Sequence, residues 1–132
     1  MNIIIYTGTL VSLAALDSVW LYIMGARYKE WLSGLFAPSF NFTPAVFFYF
    51  IYAFGVSWFV VSPALKSGAS LWQVFGIGAL FGLVVYAAYD LTNHATLRDW
   101  PLTVTVVDMA WGAVLTGLAS IIVVGLVNYF KL

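Results

Sequence analysis

The chain is a succession of long apolar runs separated by short polar interruptions. A helix that crosses a bilayer needs roughly 20 predominantly apolar residues. Four stretches reach that length, at about 2–24, 44–61, 71–93 and 101–130. The first opens on Met1-Asn2-Ile3-Ile4-Ile5, with no basic residue ahead of the apolar run and no small-x-small cleavage pattern behind it. That predicts a retained membrane helix and not a cleaved leader.

The connector from Gly25 to Thr43 carries Arg27, Lys29, Glu30, Gly34 and Pro38. Within it, Ala26 to Phe36 mixes charge with Tyr28, Trp31, Leu32, Leu35 and Phe36, a pattern that predicts a short amphipathic helix lying in the interface. Thr43-Pro44 predicts the start of the second span, with threonine as N-cap and proline at the first helical position. Ser62-Pro63 predicts its end near Val61. Lys66-Ser67-Gly68 reads as a tight turn, and His94 to Trp100 as the connector to a fourth span opening at Pro101. The expected fold is all-α: an antiparallel bundle of four transmembrane helices, one domain over residues 1–132, with an interfacial helix in the first connector.

Composition narrows the function classes. The 132 residues are 64% hydrophobic and only 8% charged. An ordinary soluble domain is about 25% charged, so this chain lacks the side chains to coat a soluble globule. Soluble enzymes and disordered tails are excluded. Five basic residues balance five acidic ones, with no basic run to engage phosphates, so no nucleic-acid partner is expected. Membrane lipids are the expected surroundings. Cysteine is absent, which removes disulfides, thiolate nucleophiles and iron–sulfur clusters. No lysine lies within a span to attach retinal, and one histidine cannot supply bis-histidine haem ligation. Haem, retinal and iron–sulfur clusters are therefore not expected, and no other cofactor is indicated. There is no G-x-S-x-G, H-E-x-x-H or P-loop, so enzymatic activity stays open.

Trp31, Trp72, Trp100 and Tyr129 fall near span ends and read as interface anchors. Arg27, Lys29 and Arg98 lie on one side, and Lys66, Lys131 and the terminal amine on the other. The positive-inside rule leans slightly toward the Arg27/Arg98 side as cytoplasmic. Gly78 and Gly82 form a G-x-x-x-G step, and Gly112, Thr116 and Ser120 repeat every four residues. Such faces let helices approach closely, within the bundle or against another protein.

Three aspartates, Asp17, Asp90 and Asp108, fall inside spans. An ionisable side chain at the membrane centre costs roughly 2.5–3.5 kcal/mol on insertion scales and tends to face the bundle interior or a wet cavity. Alternating span direction puts all three in the same half of the membrane. Asp17-Ser18-Val19-Trp20 and Asp108-Met109-Ala110-Trp111 share a D-x-x-W pattern, and the i,i+3 spacing sets Asp and Trp on one helix face. From there an indole N–H can reach a carboxylate of the facing helix. Tyr86, Asp90, Asn93 and His94 form a polar stripe ending at the same side, and Thr105 joins the face of Asp108.

Several readings stay open. The carboxylates, phenols and indoles can satisfy one another and lock the helices in register. They can instead line a pocket for a small or lipid-like molecule, walled by Trp20 and Trp111. There Asp17, Asp90 and Asp108 would accept protons or bind a cation, and Tyr86 and Asn93 would orient them. A shared proton between close aspartates follows from like-charge repulsion. A metal site from Asp17, Asp90, Asp108 and His94 is the weakest reading, because one histidine without diagnostic spacing is a poor ligand signature. From a different class, the protein is an accessory subunit of a larger membrane complex. A homo-oligomer would reconcile the two by building a cavity between protomers.

Tyr86-Ala-Ala-Tyr-Asp-Leu-Thr-Asn93, then Ala95-Thr-Leu97, Trp100 and Thr103-Val-Thr-Val-Val-Asp-Met-Ala-Trp-Gly112, resemble the bacterial predicted membrane proteins grouped as domain of unknown function family 2177. Leu16-Asp-Ser-Val-Trp20 and Phe47-Phe-Tyr-Phe-Ile-Tyr52 extend the resemblance over essentially the whole chain. It implies a small four-helix, multi-pass protein of the bacterial inner membrane, and no activity. The motif positions it carries over are Asp17, Trp20, Asp90, Asn93, Asp108 and Trp111.

Overall fold

The computed structural model describes residues Met1–Leu132, with helices and connecting turns and no strand. Four helices are long and apolar enough to cross a membrane: α1 (Ile3–Trp31), α2 (Phe42–Ser67), α3 (Leu71–Thr96) and α4 (Leu102–Phe130). Short connectors make successive helices antiparallel. α4 packs along both α3 and α1, and α1 also packs on α2.

Each helix begins or ends where local chemistry dictates, and several ends differ from those the sequence pattern predicts. Asn2 caps α1 by accepting the Ile5 N–H at 2.9 Å. The helix then runs unbroken to Trp31, so the short interfacial helix expected over Ala26–Phe36 is not a separate element. Nothing from Ala26 to Trp31 disfavours helix, and an isolated glycine such as Gly25 costs only about 1 kcal/mol. The chain turns first beyond Leu32, where Gly34 takes a left-handed φ of 89°. The charged residues therefore lie on the continuation of α1.

α2 starts at Phe42, capped by Asn41, which accepts the Thr43 N–H at 3.2 Å, and not by Thr43 itself. It passes through Ser62-Pro63 instead of ending there. Proline removes one ladder N–H and crowds the carbonyl four residues back. A wider π-turn over Ser57–Val61 lies immediately before it, with the Ser62 N–H bonded to the Ser57 carbonyl, and takes up the misfit. Gly68, with φ 65°, then ends the helix, its N–H returning to the Ala64 carbonyl. α3 opens on a capping box between Ser70 and Gln73 and reaches Thr96, three residues past the expected end. Pro101 caps α4 from just outside it.

The α3–α4 seam is the closest approach in the molecule. A Cβ on Gly82 would meet the Gly112 carbonyl oxygen at 2.0 Å, and one on Gly112 would meet the Tyr86 ring at 2.2 Å. Away from the α3–α4 turn the interior is a dry cluster that includes Leu13, Val56, Val60, Val74, Leu115 and Val124. Outward-facing Val11, Ile51, Leu80 and Val106 are apolar and exposed, which suits surface that meets lipid. Ser57 and Ser62, flanking the π-turn, keep buried hydroxyls with no partner.

Candidate functional site

The half of the bundle nearest the α3–α4 turn brings residues from all four helices to the carboxylates. The Trp111 indole N–H of α4 donates to Asp17 Oδ1 of α1 at 2.8 Å. The Tyr49 hydroxyl of α2 donates to the other oxygen of Asp17. Both Asp17 oxygens are thus held by donors from other helices. Asp108 accepts at Oδ1 from the Tyr28 hydroxyl of α1, at 2.8 Å. Trp20 does not reach a carboxylate directly. Its indole N–H donates to the Tyr28 oxygen at 3.3 Å, and its ring stacks on Trp111 with centroids 4.3 Å apart and planes 4° from parallel.

Asp90, on α3, is different. It is fully buried, and no N–H or hydroxyl donates to either of its oxygens. Its polar neighbour is the Asp108 carboxyl, within hydrogen-bonding reach when one of the two carries a proton and otherwise only another acceptor. A buried carboxylate with no donor is costly unless it takes a proton or a positive charge from outside the fold.

Two cavities meet here. One, of about 250 Å³, is walled by Trp20, Tyr28, Tyr86, Tyr89, Trp100 and Trp111, with Asp17 and Asp108 among them. The second, of about 340 Å³, is lined by Phe48, Val85, Tyr86, Tyr89 and Asp108. Tyr86, Tyr89 and Asp108 belong to both. No lysine, arginine or histidine lines either.

The longer helices change the depths. At 1.5 Å per residue, Asp17 lies about 21 Å from the end of α1, at the middle of that helix. Asp90 and Asp108 each lie about 9 Å from the α3–α4 turn, so Asp90 is as deep as Asp108 and not shallower.

A family model described as "Predicted membrane protein (DUF2177)" matches residues 2–125. The chain belongs to the DUF2177 family. No curated protein and no solved structure matches it. The matched region contains every residue of the acidic site and its aromatic walls. This DUF2177 chain is a multi-pass membrane protein with four helices long and apolar enough to span.

Within this DUF2177 chain not every expected site residue converges. Asn93 is half-buried and sits by the Tyr89 hydroxyl of its own helix, and it lines neither cavity. His94 is exposed, with Nδ1 3.0 Å from Thr105 Oγ1. The Trp100 indole N–H donates to the same hydroxyl at 3.1 Å. Thr105 thus ties the α3–α4 turn together and does not serve Asp108. No group of three or more His, Cys, Asp or Glu side chains is arranged to hold a metal ion. Asp17, Asp90, Asp108 and His94 therefore do not form one ligand set.

Other residues enter that the motifs passed over. Tyr28 and Tyr49 supply the phenolic donors, Tyr89 lines both cavities, and Trp100 is a buried cavity wall at the start of α4. A signal for Tyr28 does exist, because Asp17, Trp20, Met24, Tyr28 and Trp31 recur at steps of three and four residues along one face. Tyr49 sits in a run so uniformly apolar that no face stands out.

Proposed function

We propose that this protein binds a small or lipid-like molecule within the membrane, at the paired cavities between α1, α3 and α4. Asp108 is its charge- or proton-accepting group, Asp90 stands behind it outside both cavities, Asp17 is a second carboxyl on the wall, and Tyr86 and Tyr89 orient the occupant. Trp20 and Trp111 form the wall. One observation carries the reading: Asp108 lines both cavities, backed by the fully buried Asp90, whose oxygens receive no N–H or hydroxyl donor. A constellation serving only to lock helices would be expected to satisfy its most buried carboxylate, as it satisfies Asp17. Asp108, the carboxyl that Asp90 faces, is the one both cavities present to an occupant, and an intramembrane ionisable group so placed points to a binding role.

The test is mass spectrometry of the protein extracted gently from its native membrane, beside the Asp108→Asn variant. The expected result is a protomer or homo-oligomer retaining one small molecule, and a variant of unchanged melting temperature that has lost it. A normally folded Asp17→Ala/Asp108→Ala double variant retaining the same mass overturns the proposal. A bare chain found only within a larger assembly would replace it with the accessory-subunit reading.

A further inference from the structure

Resting on the pocket reading above, we infer that the occupant is an organic cation, an amine or quaternary ammonium whose positive head sits beside Asp108 among the aromatic rings. The first ground is charge. Asp17 and Asp108 both line the first cavity, Asp90 faces Asp108 from outside it, and no cationic side chain of the chain lines either cavity. Tyr28, Tyr49 and Trp111 offer hydrogen bonds but no positive charge. A single proton shared between Asp90 and Asp108 would quench one charge and leave the site net negative. In a low-dielectric interior that residue of charge favours an incoming cation strongly.

The second ground is the wall. Six Trp and Tyr rings surround the cavity that Asp17 and Asp108 enter. Aromatic faces attract large, weakly hydrated ammonium groups, and the attraction grows when the cation is desolvated. They offer a hard inorganic ion much less. Calcium needs six to eight oxygen ligands and magnesium a near-ideal octahedron, whereas no three acidic or histidine side chains converge on one point here.

The third ground is shape. The second cavity is mostly apolar and opens from the same Asp108, Tyr86 and Tyr89. An ammonium head at Asp108 leaves room there for a hydrocarbon arm. An anionic or zwitterionic headgroup would bring a negative charge against Asp17 and Asp108 with no cation to receive it. The site therefore selects by sign before it selects by shape.

The experiment is a charge series on the purified wild-type chain in a non-ionic maltoside detergent, followed by tryptophan fluorescence and by calorimetry. The probes are choline, its uncharged isostere 3,3-dimethylbutan-1-ol and the anion 3,3-dimethylbutanoate. Choline is expected to bind saturably and at least tenfold more tightly than the alcohol, with no binding of the anion. Asp108→Asn is expected to weaken choline at least tenfold and leave the alcohol unchanged. Equal or tighter binding of the alcohol, or any saturable binding of the anion, overturns the cation assignment while leaving the pocket reading intact. Binding of none of the three also overturns it, and the native mass measurement then judges the pocket by itself. The series needs only the wild-type chain, so its outcome does not depend on a variant that folds.

Discussion

The two halves of the bundle solve the same problem in opposite ways. In the half away from the α3–α4 turn, no buried hydroxyl but that of Tyr52 reaches across to another helix: Thr9 bonds the Ile5 carbonyl at 2.8 Å and Ser120 the Thr116 carbonyl at 2.7 Å, while Ser57 and Ser62 have no partner. The helices there meet through valine, leucine and alanine, close-packed and dry. In the half near the turn, the hydrogen bonds cross between helices, from Trp111 and Tyr49 to Asp17 and from Tyr28 to Asp108. Cavities open between them. The boundary runs through Gly82, Gly112 and Thr116, where Thr116 bonds both the Gly112 carbonyl and the Tyr52 hydroxyl. The contrast teaches a division of labour. One half holds the helices together mainly by apolar contact, and the other by hydrogen bonds to carboxylates beside aromatic-walled cavities.

If the close-packed seam is what holds the bundle, damage there should cost most. Gly82→Ala sets a methyl 2.0 Å from the Gly112 carbonyl oxygen, and backbone cannot yield as a flexible side chain does. A loss of about 3 kcal/mol, the upper part of the overpacking range, is expected in thermal melts in detergent. An unchanged melting temperature would mean that α3 and α4 do not meet as described.

The cross-helix bonds should matter next. Trp111→Phe keeps an aromatic ring against Trp20 but strips a donor from Asp17. Leaving a buried acceptor without its donor costs about 1–3 kcal/mol. The matched melt should fall by less than for Gly82→Ala, and a null result would remove Asp17 from the list of structural ties.

Asp90→Asn sharpens the contrast because its sign is opposite. The amide removes a charge and can donate to the Asp108 carboxylate that Asp90 faces. The variant should be as stable as the wild type or more so, by about 1 kcal/mol, while losing any co-purifying molecule. A strongly destabilised Asp90→Asn would make this carboxylate packing glue and return both halves to one design. The smallest effect belongs to Gly76→Ala, where a new Cβ meets nothing within 4 Å. Restoring helix propensity there should stabilise by about 0.5–1 kcal/mol, and a loss would show that the same helix face is occupied by a partner.

Much of this was legible along the chain, for identifiable reasons. Four spans follow from length and apolarity alone, since only a helix satisfies its own backbone in lipid. α1 runs on past its expected end because charge between Arg27 and Glu30 marks where a helix leaves the membrane as well as where it lies on it. α2 runs on past its expected end because Pro63 breaks a regular α-ladder but is accommodated after a π-turn, and no residue type announces a π-turn. His94 and Asn93 share the helical spacing of Asp90 yet end apart from it, because a stripe along one helix says nothing of how far along it the neighbouring helix stays in contact.

The sequence by itself determined four helices long and apolar enough to cross a membrane, with Asp90 and Asp108 on either side of one turn. Hydropathy and short connectors suffice for that, whereas the longer α1 of the structure sets Asp17 at mid-helix. Only the tertiary structure decided which carboxylate is satisfied. Asp17 receives Tyr49 and Trp111, Asp108 receives Tyr28, and Asp90 receives nothing. Those donors lie 32, 94 and 80 positions away in the chain, so their meeting depends on helix rotation and crossing. These in turn are set by how closely Gly82 and Gly112 allow two backbones to approach.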